Sequence, residues 1–303
     1  MKVLTVTLNP SLDKTYHLDK FNRGGTNRIN STSTIAGGKG VNVSRALAGL
    51  GVDVDTFVAT GGNLGDTFRA HIESELNPIY YNIQSETRLC HKIKCGNTIT
   101  ELNEPSPYLE FGEVAEIFDR LSAIIPKYEV VAFCGSVPQG VDTRFVTNLI
   151  RLAPDKFYFD SSGASLKAGI ECNPHFVKPN GDELLELGLG TVEEAVLALS
   201  NQGISRVTAT MGHMGAAYVR KGEVFRAYYS GEPIEVASTV GCGDSFVASC
   251  ILNHHNKDMH EVVSFAVACA TANAISGKGG KVDIISANDI LPKITVRRAT
   301  PQV

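Results

Sequence analysis

Two kinds of apolar spacing alternate along the chain. In "KVLTVTL", "VDTFVA", "VVAFC", "KFYFD", "HFVK" and "RVTAT" the apolar residues form short runs, which read as strands buried in the middle of a sheet. Between such runs the apolar positions recur every three or four residues, as in Val43-Ala46-Leu47-Leu50, Leu64-Phe68-Ile72 and Val114-Ile117-Phe118-Leu121-Ile124-Ile125. That is the spacing of a helix burying one stripe. The alternation predicts an α/β protein with a largely parallel sheet and helices on both faces.

Two stretches break the rhythm. Residues 11–35, rich in Thr, Asn, Ser and Lys, and residues 87–103, "TRLCHKIKCGNTITELN", have strand-like patches with no helical stripe. Neither can bury much alone, so together they predict a small β-sheet lid inserted into an α/β core of residues 1–10, 36–86 and 104–303. The longest uncharged run, Val262 to Gly277, carries Ser, Thr and Asn and is short for a membrane span, so a buried helix is expected there. At the amino end, Asn9-Pro10 interrupts the apolar run before a signal-peptide pattern develops, which leaves a first strand.

Composition narrows the class without choosing it. Hydrophobic residues at 43% and charged residues at 20% are ordinary globular usage, so disorder is not expected. A net charge of -4 lacks the basic footprint of a nucleic-acid binder, although locally positive pockets stay open. The seven cysteines are odd in number, scattered and without a C-x-x-C pair, which indicates neither a disulfide framework nor a zinc site. They read as cytoplasmic thiols. Among the eight histidines, His254, His255 and His260 are close in sequence, but they fall where one helix ends and another begins, and a solvated loop is the expectation.

In a parallel sheet, ligands collect beyond the carboxyl ends of the strands. Four expected strand ends run into "NPSLD", "GSVPQG", "PNGDE" and "MGHMGA", which together describe one cleft. Two glycine corners add chemistry. "VGCGDSF" sets Gly241, Cys242 and Gly243 ahead of Asp244 at the start of an apolar helix, where amides without intrahelical partners bind anions. Taken alone, that G-x-G-D pattern fits a simple helix cap equally well. "AGGKGVNVSRALAGLG" places Gly37, Gly38 and Gly40 around Lys39 at another helix start, and it is neither a Walker P-loop nor a dinucleotide fingerprint.

Taken together, these segments resemble the two signatures of the ribokinase-like carbohydrate kinases of the phosphofructokinase B family, about 200 residues apart and in the family's order. "TVTLNPSLD", "ETRLC", "CGSVP", "VKPNGDEL" and "TMGHMGA" are similar to its 1-phosphofructokinase and tagatose-6-phosphate kinase branch. The resemblance implies a three-layer α/β/α fold, Mg-ATP as donor and a ketohexose phosphate as acceptor, fructose 1-phosphate first and tagatose 6-phosphate second. It implies Asp244 as base, with the amides of Gly241, Cys242 and Gly243 as anion hole. Asp13 and Asn42 would contact sugar hydroxyls, with Gly37 and Gly38 against the ring. Lys39, Arg28 and Arg88 are candidates for the sugar's own phosphate, each arginine being otherwise a solvated surface cation. Lys178, Asn180 and Glu183 would lie near the nucleotide phosphates, with Asn180 and Glu183 reaching Mg²⁺ through water or forming a helix cap. Thr210, Gly212 and Gly215 would line the ribose and phosphate side. Asn273 is either an adenine-pocket residue or a buried structural amide. The chain departs from the family pattern at Ser238 and Cys242, and neither change removes a backbone donor.

Other classes fit less well. A nucleoside or unphosphorylated-sugar kinase leaves Arg28 and Arg88 without a partner, a non-catalytic regulator has no use for Asp244, and a dehydrogenase lacks its fingerprint. The family resemblance also implies a homodimer paired through the lid.

Overall fold

Val131 and Phe133 lie in one apolar core and their strand neighbours Val130, Ala132 and Cys134 in another, so this strand is buried on both sides. Its unbroken apolar run follows from that, because alternate residues serve different layers. The computed structural model describes residues 1–96, 98–277 and 279–299.

The strands are β1 (Val3–Thr7), β2 (Ser11–Leu18), β3 (Ser31–Gly37), β4 (Val54–Thr60), β5 (Asn77–Asn82), β6 (Arg88–Cys95) and β7 (Thr98–Asn103). They continue with β8 (Val130–Cys134), β9 (Phe157–Asp160), β10 (Phe176–Val177), β11 (Arg206–Thr210), β12 (Ala216–Arg220), β13 (Glu223–Tyr229) and β14 (Ile294–Arg298). The helices are α1 (Lys39–Gly49), α2 (Gly62–Ile72), α3 (Phe111–Ile124), α4 (Thr143–Arg151) and α5 (Gly163–Ile170). After them come α6 (Gly181–Glu186), α7 (Val192–Gln202), α8 (Cys242–Leu252), α9 (Met259–Ser276) and α10 (Ile284–Ile290).

Ten strands form the central sheet in the order β14-β13-β12-β11-β10-β9-β8-β1-β4-β5. Neighbours from β11 to β5 are parallel, whereas β12, β13 and β14 extend the sheet antiparallel. One face packs against α3, α4, α5 and α7, and the other against α1, α8, α9 and α10. This is the three-layer ribokinase-like arrangement that the resemblance implies. The uncharged run near the end of the chain forms the buried helix α9, and no helix among the described residues is long and apolar enough to cross a membrane.

A second sheet has the order β3-β2-β6-β7. β2 pairs antiparallel with β3 but parallel with β6, and this parallel pair has no local signal in the sequence. Register sets Ser11 beside both Gly37 and Arg88, and Asp13 beside Cys90 with Lys92 two residues further on. Alternation along the strands therefore gives Asp13, Gly37, Arg88 and Lys92 one shared face. On the other face Leu12 and Ala36 pack with Val41, Phe68 and Ile72, joining the small sheet to α1 and α2.

Candidate active site

Helices α1 and α8 pack in the same core through Val43, Ala46 and Leu47 on one and Phe246, Val247 and Cys250 on the other. Their first turns meet. A Cβ on Gly40 would lie 2.3 Å from Thr7 Oγ1, so only a glycine lets α1 begin this close to the end of β1. Gly241 has φ 81°, and a Cβ there would lie 2.3 Å from the Gly280 nitrogen. Both corners are therefore shaped by close backbone approach as well as by dihedral freedom.

Asp244, in the first turn of α8, accepts a hydrogen bond from Asn42 Nδ2 at 2.8 Å. The Asn42 amide is itself oriented, because Arg45 Nη1 donates to its Oδ1 at 3.4 Å while Arg45 Nε donates to Glu75 Oε2 at 2.9 Å. Lys281 Nζ completes the chain at 2.6 Å from Glu75 Oε1.

Beside Asp244 lies a second buried carboxylate, Asp160, at the end of β9. Lys39 Nζ donates to its Oδ1 at 2.9 Å, and Lys178 Nζ is 3.4 Å from its Oδ2. Lys178 also borders the α8 corner, since a Cβ on Gly243 would lie 3.7 Å from its Nζ. Burial raises the Asp244 pKa to about 6, and the Asp160 charge adds to the rise against the pull of Asn42, Lys39 and Lys178. For Asp160, burial works against ionisation, but Lys178 and Lys39 outweigh it and hold the carboxyl below the ordinary range. Burial likewise opposes the Lys39 charge, and Asp160 more than offsets it, so that ammonium stays protonated. Two acids in one site thus separate into a permanent anion that fixes the lysines and a group poised to exchange a proton near neutral pH.

Asn180 and Glu183 cap α6 reciprocally, with bonds of 2.8 Å from Glu183 N–H to Asn180 Oδ1 and 2.7 Å from Asn180 N–H to Glu183 Oε2. The other oxygen, Glu183 Oε1, lies 3.9 Å from Lys39 Nζ. Thr210 forms a bridge to Asn180, and Gly212 and Gly215 sit in the turn that follows. Asp13 accepts from Lys92 Nζ at 2.7 Å and from Ser11 Oγ at 2.7 Å, and its carboxyl carbon is where a Gly37 side chain would need to be. Gly38 caps the start of α1 against Thr7 and Pro10. Arg88 donates to the Asn9 carbonyl, and its Nε is buried without a partner.

Three expected residues are placed differently from the rest. Lys39 is grouped with Asp160 and Glu183 rather than with Arg88. Arg28 lies exposed in the β2–β3 connection. Asn273 is fully buried, donating to the Val240 carbonyl and accepting from Gly280 N–H, both at 2.8 Å, so its amide ties the α8 corner to the Gly279-Gly280 turn. Asp160, Lys92, Arg45 and Glu75 do not figure among the residues read from the sequence. Asp160 alone carried a signal, as an acid ending an apolar strand at the edge where ligands gather.

A buried carboxyl with a raised pKa beside a glycine corner at a helix start, with two lysines close by, is a phosphotransferase type of site. The family comparison agrees: residues 6–282 match the model described as pfkB family carbohydrate kinase, and the chain belongs to that family. It is an ATP-dependent sugar kinase. A tagatose-6-phosphate kinase of Staphylococcus epidermidis is 33% identical over 309 residues, covering 97% of this chain and 99% of its own. Among solved structures, a possible 1-phosphofructokinase of Thermotoga maritima superposes with a TM-score of 0.87 at 25% identity, covering 99% of this chain and 100% of its own. The phosphofructokinase-2 of Escherichia coli in complex with fructose-6-phosphate gives 0.84 at 25% identity, with 96% and 98% covered.

Proposed function

We propose that this sugar kinase acts on a ketohexose monophosphate, converting fructose 1-phosphate into fructose 1,6-bisphosphate. The observation that carries the reading is Arg88: a partly buried guanidinium on the same sheet face as Asp13, where its N–H fork suits an acceptor phosphate. Lys92, on that face, adds a second cation.

In the reaction, Asp13, Asn42 and the Gly37-Gly38 backbone hold the sugar so that one hydroxyl faces Asp244. The Asp244 carboxylate takes the hydroxyl proton as the oxygen bonds to the γ-phosphorus of ATP, and the bond from that phosphorus to the β–γ bridging oxygen breaks. Ketohexose bisphosphate and ADP leave, and the proton passes from Asp244 to solvent. Amides at Gly241, Cys242 and Gly243 and the Lys178 ammonium receive the charge on the transferring group. Thr210, Gly212 and Gly215 serve the ribose and phosphates of the donor. Glu183 Oε1, free of the capping bonds, and Asn180 would hold Mg²⁺ through water, and the ion would supply positive charge to offset that of the donor phosphates. The small sheet serves as lid, and its exposed Ile99 and Leu102 fit a homodimer formed through it.

Tagatose 6-phosphate is the second reading, favoured by the relative of that name at 33% identity. ADP release measured with fructose 1-phosphate, fructose 6-phosphate, tagatose 6-phosphate, fructose and adenosine tests both. The highest kcat/KM is expected on fructose 1-phosphate. A preference for tagatose 6-phosphate selects the second reading, and a preference for fructose or adenosine overturns both.

A further inference from the structure

At the opposite end of α8 from Asp244, ten residues or about 15 Å along the helix, the chain assembles a second cluster. Glu129, just before β8, and His254 and His255, in the turn after α8, each present one ligand atom, and those atoms lie within 4.8 Å of one another. His255 Nε2 is 2.7 Å from Glu129 Oε1. His254 is held from behind: its Nδ1 is 3.1 Å from the Tyr158 hydroxyl, which is 3.4 Å from the Cys250 carbonyl. Since the carbonyl can only accept, the Tyr158 proton goes to it, and the phenol oxygen is free to accept Nδ1–H from His254. That tautomer leaves a lone pair on His254 Nε2, the nitrogen with no assigned role.

We propose that Glu129, His254 and His255 bind one borderline transition-metal dication, zinc being the reference ion, with water completing the shell. Two imidazole nitrogens and one carboxylate are a zinc-type donor set. Mg²⁺ and Ca²⁺ favour oxygen, so this is a different metal from any that accompanies ATP. The support around the ligands resembles that of built metal sites, in which a partner on the second ring nitrogen fixes the imidazole. Arg206 shapes the turn by donating to the carbonyls of Asn253, His254 and Asn256. His175 packs against it with ring centroids 5.0 Å apart, and the His175 Nε2 is buried without a partner. The sequence showed only adjacent histidines at a helix end. Glu129, which makes them a ligand set, is more than 100 residues away.

Bound metal would join the carboxyl end of α8 to the start of β8 and stabilise the fold by mass action. The test uses metal-stripped full-length chain and zinc chloride alone, read by competition with a chromophoric chelator and by thermal unfolding, with magnesium chloride as control. One tight zinc per chain is expected, with Tm raised by about 5 °C at about a hundredfold excess over Kd and unmoved by magnesium. His255→Ala and Glu129→Gln should each weaken zinc binding at least about tenfold. A Cys95→Ser, Cys172→Ser chain should retain it, separating this site from the two partly exposed thiols that lie outside the α8 corner. Unchanged zinc affinity in both ligand variants, loss of zinc in the cysteine variant, or no zinc-dependent rise in Tm would overturn the proposal. Far-ultraviolet circular dichroism distinguishes an unfolded variant from a folded one that has lost its ligand.

Discussion

Replacing Asn42 with alanine should move the acidic limb of the pH–rate profile toward alkaline pH. The argument begins with the 2.8 Å bond from Asn42 Nδ2 to Asp244, which favours the ionised carboxyl, in an environment where burial and Asp160 have already raised its pKa to about 6. A hydrogen bond to a charged group contributes about 1.5–3 kcal/mol. At 1.36 kcal/mol per pH unit, its loss would raise the pKa by about 1–2 units. Water entering the space left by the amide offsets part of this, so the expected displacement is about one unit. The assay is kcat/KM for ADP release between about pH 5 and 9, with wild type and variant measured on the same substrates. Phosphate groups on ATP and sugar also titrate near neutrality, but their contribution is common to both enzymes and cancels in the difference. The sign is decisive. A midpoint that stays in place, or moves toward acid, would separate Asn42 from the ionisation that controls turnover and remove the physical basis for Asp244 as base.

Two further perturbations address the same site from other directions. Asp244→Asn should keep ATP binding while lowering turnover by roughly 10²–10⁴-fold, and near-normal turnover would exclude Asp244 from the chemistry. The same substitution should raise Tm. Because the folded-state pKa of Asp244 lies above the ordinary 3.8, folding is favoured below that value and loses stability as pH rises through about 6. The variant should therefore gain most at pH 8 and little at pH 4, and a Tm lowered equally at both would contradict the assigned ionisation. Arg88→Ala should raise KM for the phosphosugar at least about tenfold, the loss expected of a charge-assisted bond to phosphate, with little change in KM for ATP. Equal loss for both substrates would mean that Arg88 supports the sheet rather than reading the phosphate.

The fold was legible where burial imposes a period. β8 is apolar at every position because one strand serves two cores, and α9 carries no charge beyond its first turn because it is buried along much of its length. The glycine corners were legible for a related reason: close backbone approach tolerates no side chain, and only glycine meets that condition. Ion pairs leave no such local mark. Lys39 reaches Asp160 across 121 residues, Lys92 reaches Asp13 across 79, and Lys281 reaches Glu75 across 206, so no member of these pairs points locally to its partner. The same holds for Asn273. A polar residue in a buried helix suggests a ligand or a structural bond with equal force until the Val240 carbonyl and Gly280 amide are seen around it.

What unites the two glycine corners is the packing of α1 on α8, and it gives the catalytic geometry a cause far from the ligands. Asn42 and Asp244 occupy first turns that meet because Val43, Ala46 and Leu47 share a core with Phe246, Val247 and Cys250. A change in that apolar seam would shift the amide relative to the carboxylate without touching a polar atom. Arg45 stands where the seam meets the polar network, buried on α1 and joined both to Asn42 and to Glu75 beyond α2. It can be buried because Glu75 and the Ala36 carbonyl satisfy its donors. The orientation of the Asn42 amide is therefore tied to a charge pair on the far side of α1, while burial and the groups lining the cleft set the proton affinity of Asp244.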